Sequence, residues 1–173
     1  MVFNARMNPR EDRFILFRSA GGVWAVAAAG VREVLPTAQM DRPAGAPRAL
    51  AGFMLVDGAP LAVVRLAALF GTAGEGADEL YSHILRLPAA PGATPLGLLV
   101  DRVTDVDARA DGMAPLEPSQ SLNGALIGNL VVGGELVPLL DWGRLLLLEE
   151  QLRIEDLAAA ARQRLAELDA AGA

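Results

Sequence analysis

The 173-residue sequence contains no cysteine and no lysine, and a single histidine, His83. Each absence removes chemistry. Without cysteine there are no disulfides, no thiolate nucleophiles and no cysteine-ligated zinc. Without lysine there is no Schiff base and no phosphate-loop ammonium. Long hydrophobic runs are missing too: stretches such as residues 23–31 fall well short of the ~18–20 apolar residues of a membrane-spanning helix, and residues 1–12 carry no apolar core of a secretion signal. The expectation is a cytoplasmic protein without direct membrane insertion. Positive charge is also scarce: 15 basic residues, all arginine, face 21 acidic ones for a net charge of −6. Such a chain repels phosphate backbones, so no nucleic-acid partner is expected.

What is present suffices for a core. Hydrophobic residues make up 53% of the chain and charged residues 21%, the balance of a globular protein of one compact domain or two small ones. Residues 1–12 show no periodicity and read as a flexible tail. From Arg13 onward the pattern is one of hairpins. Phe14-Ile15-Leu16-Phe17-Arg18 and Val23-Trp24-Ala25-Val26 bracket Ser19-Ala20-Gly21-Gly22, a turn that needs positive φ. Residues 52–56 and 59–64 flank Asp57-Gly58, and residues 125–132 and 135–140 flank Gly133-Gly134. Two more strands are expected at 81–87 and 96–100, separated by a loop with Pro88, Pro91 and Pro95. Three hairpin signals argue for a mainly β architecture, with the glycine-rich stretch near 71–79 as the seam between two β-subdomains.

After Trp142 the texture changes. Residues 144–171 lack proline and consist largely of Leu, Ala, Glu, Gln and Arg, which predicts a helix. Leu145, Leu148, Leu152, Ile154, Leu157, Ala161, Leu165 and Leu168 form one apolar stripe along it, and Asp141 is placed to cap its first turn. The chain thus divides into a tail (1–12), a β domain (13–143) and a C-terminal helix (144–173).

Catalytic constellations are weak. Ser82 and His83 are adjacent, and on a strand adjacent side chains point to opposite faces; no G-x-S-x-G elbow accompanies them. Asp101 and Asp141 end apolar strands as phosphoacceptor aspartates do, but the lysine and the acidic pair of such sites are missing and the βαβ alternation is absent. Gly71, Gly74 and Gly76 have no strand–turn–helix context for a phosphate cradle. Asp101, Asp105, Asp107 and Asp111 lack the glycine and terminal glutamate of a calcium loop and read as solvated turn residues. No catalytic, metal or cofactor site is expected.

Five segments in register instead resemble the CheW family of chemotaxis coupling proteins. They are the opening hairpin; Val31-Arg32-Glu33-Val34; Pro43-Ala44-Gly45-Ala46-Pro47-Arg48-Ala49-Leu50-Ala51-Gly52; Gly97-Leu98-Leu99-Val100-Asp101-Arg102-Val103-Thr104-Asp105-Val106; and the closing hairpin from Gly128 to Asp141. The resemblance implies two SH3-like five-stranded β-barrels and a non-enzymatic adaptor. It implies binding to a CheA-type histidine kinase and to the cytoplasmic tips of methyl-accepting chemoreceptors, in association with membrane-bound receptor arrays. Val31, Glu33, Gly52 and Gly58 match positions where that family meets its partners.

The central hairpin departs from the family. Where the family usually reads N-L-R-G followed by P-[VI]-[IV]-D-L, this chain has Leu55-Val56-Asp57-Gly58 and Ala62-Val63-Val64-Arg65-Leu66. Arginine has become Asp57 and aspartate has become Arg65, so both join the expected partner-binding set, and a kinase or receptor with altered complementary charges is implied. Asp57 also simply suits a tight turn. The alternative reading is a self-assembling β-barrel protein without a kinase, and the C-terminal helix either packs on the barrels or pairs with another copy.

Overall fold

The computed structural model describes residues 8–10, 12–71, 81–89, 93–117, 124–146 and 148–171. Most of the expected tail therefore lies outside the described residues. Among the described residues eleven strands form two sheets: β1 (Phe14–Ser19), β2 (Gly22–Ala27), β3 (Glu33–Pro36), β4 (Leu50–Val56), β5 (Ala59–Arg65), β6 (His83–Arg86), β7 (Leu96–Val100), β8 (Arg102–Ala108), β9 (Gly112–Ala114), β10 (Leu126–Val132) and β11 (Glu135–Leu140). A four-residue helix, α1 (Leu66–Leu69), follows β5, and a long one, α2 (Leu148–Ala171), closes the described chain.

The three hairpins form where the turn chemistry places them. Ala20-Gly21, Asp57-Gly58 and Gly133-Gly134 all have positive φ at both central residues, the type I′ geometry whose twist matches that of the flanking strands. In each case a two-residue turn fixes the register: Ser19 with Gly22, Val56 with Ala59, Val132 with Glu135.

The fold is mainly β with two SH3-like subdomains, but the sheets are neither equal nor consecutive in sequence. One has six strands in the order β8-β1-β2-β11-β10-β9, the other five in the order β3-β6-β7-β5-β4. In the six-stranded sheet β8 and β9 are the two edge strands. Asp105 and Asp107, expected as solvated turn residues, lie within β8, whose residues from Thr104 to Asp107 face solvent. Charged residues on an edge strand protect it from pairing with other chains. Asp107 is ion-paired to Arg13 at 3.0 Å. The seam expected near 71–79 falls almost wholly outside the described residues. Residues 72–80 lie outside the described set, but β5 before them and β6 and β7 after them belong to one sheet. The chain leaves the six-stranded sheet after β2 and returns with β8.

One apolar core joins the two sheets: Ile15, Phe17 and Val26 of the first meet Leu50, Phe53, Val64, Leu85 and Val100 of the second. Ile154 and Ala158 of α2 are buried in the same core. The helix begins later than expected, because residues 142–144 form a 3-10 turn, and it is this turn that Asp141 caps, accepting from the Gly143 N–H at 3.1 Å. Its apolar stripe is buried only in part. Leu157 packs against the core and Leu165 is half-buried, whereas Leu168 is exposed.

Gly97 sits in central strand β7 between Arg86 of β6 and Val63 of β5. A Cβ there would lie 2.5 Å from Cγ2 of Ile84 and 3.2 Å from Cδ2 of Leu61, both fully packed. Gly97→Ala is therefore expected to destabilise the fold by about 1–3 kcal/mol, read as a lower denaturant midpoint with an unchanged slope.

Candidate functional site

The five-stranded sheet brings three charged residues together at one end. Glu33 opens β3 and lies directly opposite Arg86, the last residue of β6. The backbone ladder continues past this pair, with the Arg32 N–H donating to the Arg86 carbonyl at 2.8 Å. The β4–β5 turn carries Asp57 to the same place. Nη1 of Arg86 donates to Oε1 of Glu33 at 2.5 Å and to Oδ2 of Asp57 at 3.2 Å.

The three members differ sharply in exposure. The Arg86 side chain is only 10% exposed, that of Glu33 41% and that of Asp57 77%. A guanidinium taken out of water must be paired, and both carboxylates meet that demand. The hydrogen bond to Glu33 is the main influence holding the Arg86 pKa above its ordinary value; burial opposes it, and Asp57 adds a smaller contribution. The assembly presents two partly exposed carboxylates over one covered cation, a net charge of −1 at the surface.

The expected partner-binding residues do not form one cluster. Glu33, Asp57 and Gly58 meet at the charge network. Val31 follows the 3-10 turn at residues 28–30, donates its N–H to the Ala28 carbonyl at 3.0 Å, and packs its half-buried side chain against the central core. Gly52 lies within β4, where a Cβ would come within 2.9 Å of the Asp41 carbonyl oxygen, so the chain at 40–41 closes over it. Arg65 stands at the far end of β5 from the Asp57 turn, and this seven-residue strand spans roughly 20 Å. Its neighbour there is Asp101, whose carboxylate accepts from the Ala20 N–H; burial pushes the Asp101 pKa up, against the effect of that hydrogen bond and of Arg65.

Arg86 is the residue that the sequence reading missed. Its signal was a lone charge in the apolar run Ile84-Leu85-Arg86-Leu87, which demands a buried partner without naming it. The weak catalytic pair has structural roles: Ser82 is buried and its carbonyl accepts from Thr37 Oγ1 at 3.5 Å, while Nδ1 of His83 accepts the Val103 N–H at 3.3 Å and links β6 to β8. Among the described residues no three of His, Asp and Glu are grouped as metal ligands.

Two measurements follow from this geometry. Glu33→Ala, which strips a buried cation of its nearer partner, should cost about 1–3 kcal/mol, whereas Asp57→Asn, at the exposed contact, should cost less than about 1 kcal/mol; denaturant titration distinguishes the two. For Asp101 the native state binds the proton more tightly than the unfolded chain, so this group favours the fold increasingly as pH falls toward the ordinary aspartate value of 3.8. Melting curves across that range should show wild type gaining on Asp101→Asn as pH falls, and a constant difference at neutral pH and above.

A family model described as CheW-like domain matches residues 13–150. Among solved structures the chain is similar to the scaffolding protein TtCheW from Thermoanaerobacter tengcongensis, with a TM-score of 0.69 and 18% identity, covering 80% of this chain and 94% of that one. At that identity the likeness is one of fold. No curated protein matches the chain in sequence. The family match runs from the residue before β1 into the start of α2, taking in both sheets and the whole charge network, and the chain belongs to the CheW-like domain family.

Proposed function

We propose that this chain is a non-enzymatic adaptor that couples methyl-accepting chemoreceptors to a CheA-type histidine kinase, working in the cytoplasm beside membrane-bound receptor arrays. No described helix is long and apolar enough to cross a membrane, and on this reading contact with the membrane runs through the receptors. The family supports the adaptor role, and the observation that carries the finer reading is the charge network. Asp57 stands on an exposed type I′ turn, held by a cation that comes from β6 beneath it. The family's usual hairpin places an arginine on the turn itself. Here the arginine is covered and the carboxylate is outermost, so a partner fitted to this face offers a cation or a hydrogen-bond donor where a carboxylate would otherwise serve. Glu33, Asp57 and Gly58 belong to this proposed face, and Val31 and Gly52, which stand apart from the charge network, are further proposed partner positions through the family resemblance alone.

The test is titration of the purified chain against the CheA-type kinase of its own cells. Asp57→Arg should weaken binding about tenfold or more, the equivalent of about 1.4 kcal/mol, because it sets a second guanidinium beside Arg86 and opposes the partner's charge. Asp57→Asn keeps the turn and removes only the charge, so its loss should be smaller. Tighter binding by Asp57→Arg contradicts the reversed-charge interface.

A further inference from the structure

At the opposite end of β5 from the charge network, the protein concentrates positive charge despite its overall acidity. Arg18 of β1 and Arg102 of β8 are direct cross-strand partners, an arrangement in which like charges repel. Arg65 lies close by, beside Asp101, whose backbone N–H is bonded to the Arg18 carbonyl at 2.9 Å. Arg65 acts on the half-buried Asp101 carboxylate, and none of Arg18, Arg65 and Arg102 makes an ion pair within 4.0 Å among the described residues. Arg18 and Arg102 border a shallow open recess of about 470 Å³ together with Val103 and Thr104. Beside it, Val23 is in register with Arg18 and Tyr81 lies under the Arg102 guanidinium at 5.8 Å; both are large apolar side chains left exposed.

Arg18 and Arg102 are like charges in direct cross-strand register with no ion pair to offset them, a destabilising arrangement that carboxylates from outside would relieve. We propose that this end of the molecule is a second docking face, and that its occupant is an acidic, partly apolar segment of a partner protein. Carboxylates of that segment pair with Arg18, Arg102 and Arg65, each able to grip one in a two-point hydrogen-bonded fork. Its apolar side chains cover Val23 and Tyr81. The openness of the recess and this apolar rim fit an extended peptide rather than a small enclosed anion. The face is distinct from the one centred on Asp57 and has the opposite sign. It rests on the adaptor reading only in giving the chain a second partner surface.

A synthetic probe keeps the test independent of any kinase or receptor. A fluorescein-labelled peptide of alternating glutamate and leucine is titrated into the full chain at several salt concentrations, with a lysine–leucine peptide as control. The expected result is saturable binding of the glutamate peptide that weakens with salt, and a loss of about tenfold or more in Arg18→Glu/Arg102→Glu. Arg162→Glu/Arg164→Glu on the exposed part of α2 should change the affinity by no more than about twofold. Reversing Arg102 alone should also raise the melting temperature by about 1–3 °C, since it turns a repulsive cross-strand pair into an attractive one. If the double reversal fails to fold, Arg102→Gln must weaken the peptide in the same direction. Absence of saturable, salt-sensitive binding, or an equal loss in the α2 variant, overturns the proposal and leaves the kinase-coupling reading untouched.

Discussion

A guanidinium cannot be left in a protein interior without a carboxylate to meet it, and the arrangement of the five-stranded sheet around Arg86 satisfies that constraint. The residue ends a strand whose preceding two side chains are fully buried. It therefore draws in Glu33 from across the β3–β6 ladder and Asp57 from the β4–β5 turn. The same contact that neutralises the cation ties two separate parts of the sheet, and it orients the turn so that Asp57 stands outward. Stability and surface character have one origin here: the buried charge dictates which sign is displayed.

Strand β5 connects this region to its electrostatic opposite. Its first residue follows the Asp57 turn and its last is Arg65, close to Arg18, Arg102 and the half-buried Asp101. The two departures from the family's usual hairpin, an aspartate for an arginine and an arginine for an aspartate, thus fall at opposite ends of a single strand. They do not compensate each other by contact. Each takes its meaning from local neighbours: Asp57 from a cation below it, Arg65 from a carboxylate beside it. Separation of charge along the molecule gives an adaptor chemically distinct surfaces, which lets two partners be told apart by sign before any fine fit is made.

How much of this was legible in the sequence depends on how local the determining physics was. The three hairpins were legible because a type I′ turn is set by two residues, and Ala20-Gly21, Asp57-Gly58 and Gly133-Gly134 announce themselves. Strand β8 was hidden because its exposed edge carries Asp105 and Asp107, which in isolation look like turn residues. The assignment of strands to sheets was hidden because β1 and β2 pair with β8 and β11, far away in the chain. The C-terminal helix was legible from its composition, but its start was not, and its stripe could not reveal that, among the described side chains, burial is deepest at Ile154 and Ala158 and gone at Leu168. Of the site, Glu33 and Asp57 were in view through family resemblance; Arg86, which joins them, was not, since its partners lie 53 and 29 positions away.

The adaptor account is tested most directly by what the protein holds in its own cells. Affinity purification of the tagged chain, followed by mass spectrometric identification of the co-purifying proteins, should enrich a CheA-type histidine kinase together with methyl-accepting receptors. Recovery of the chain alone, at good expression, would contradict that account and favour self-assembly of the β domain instead.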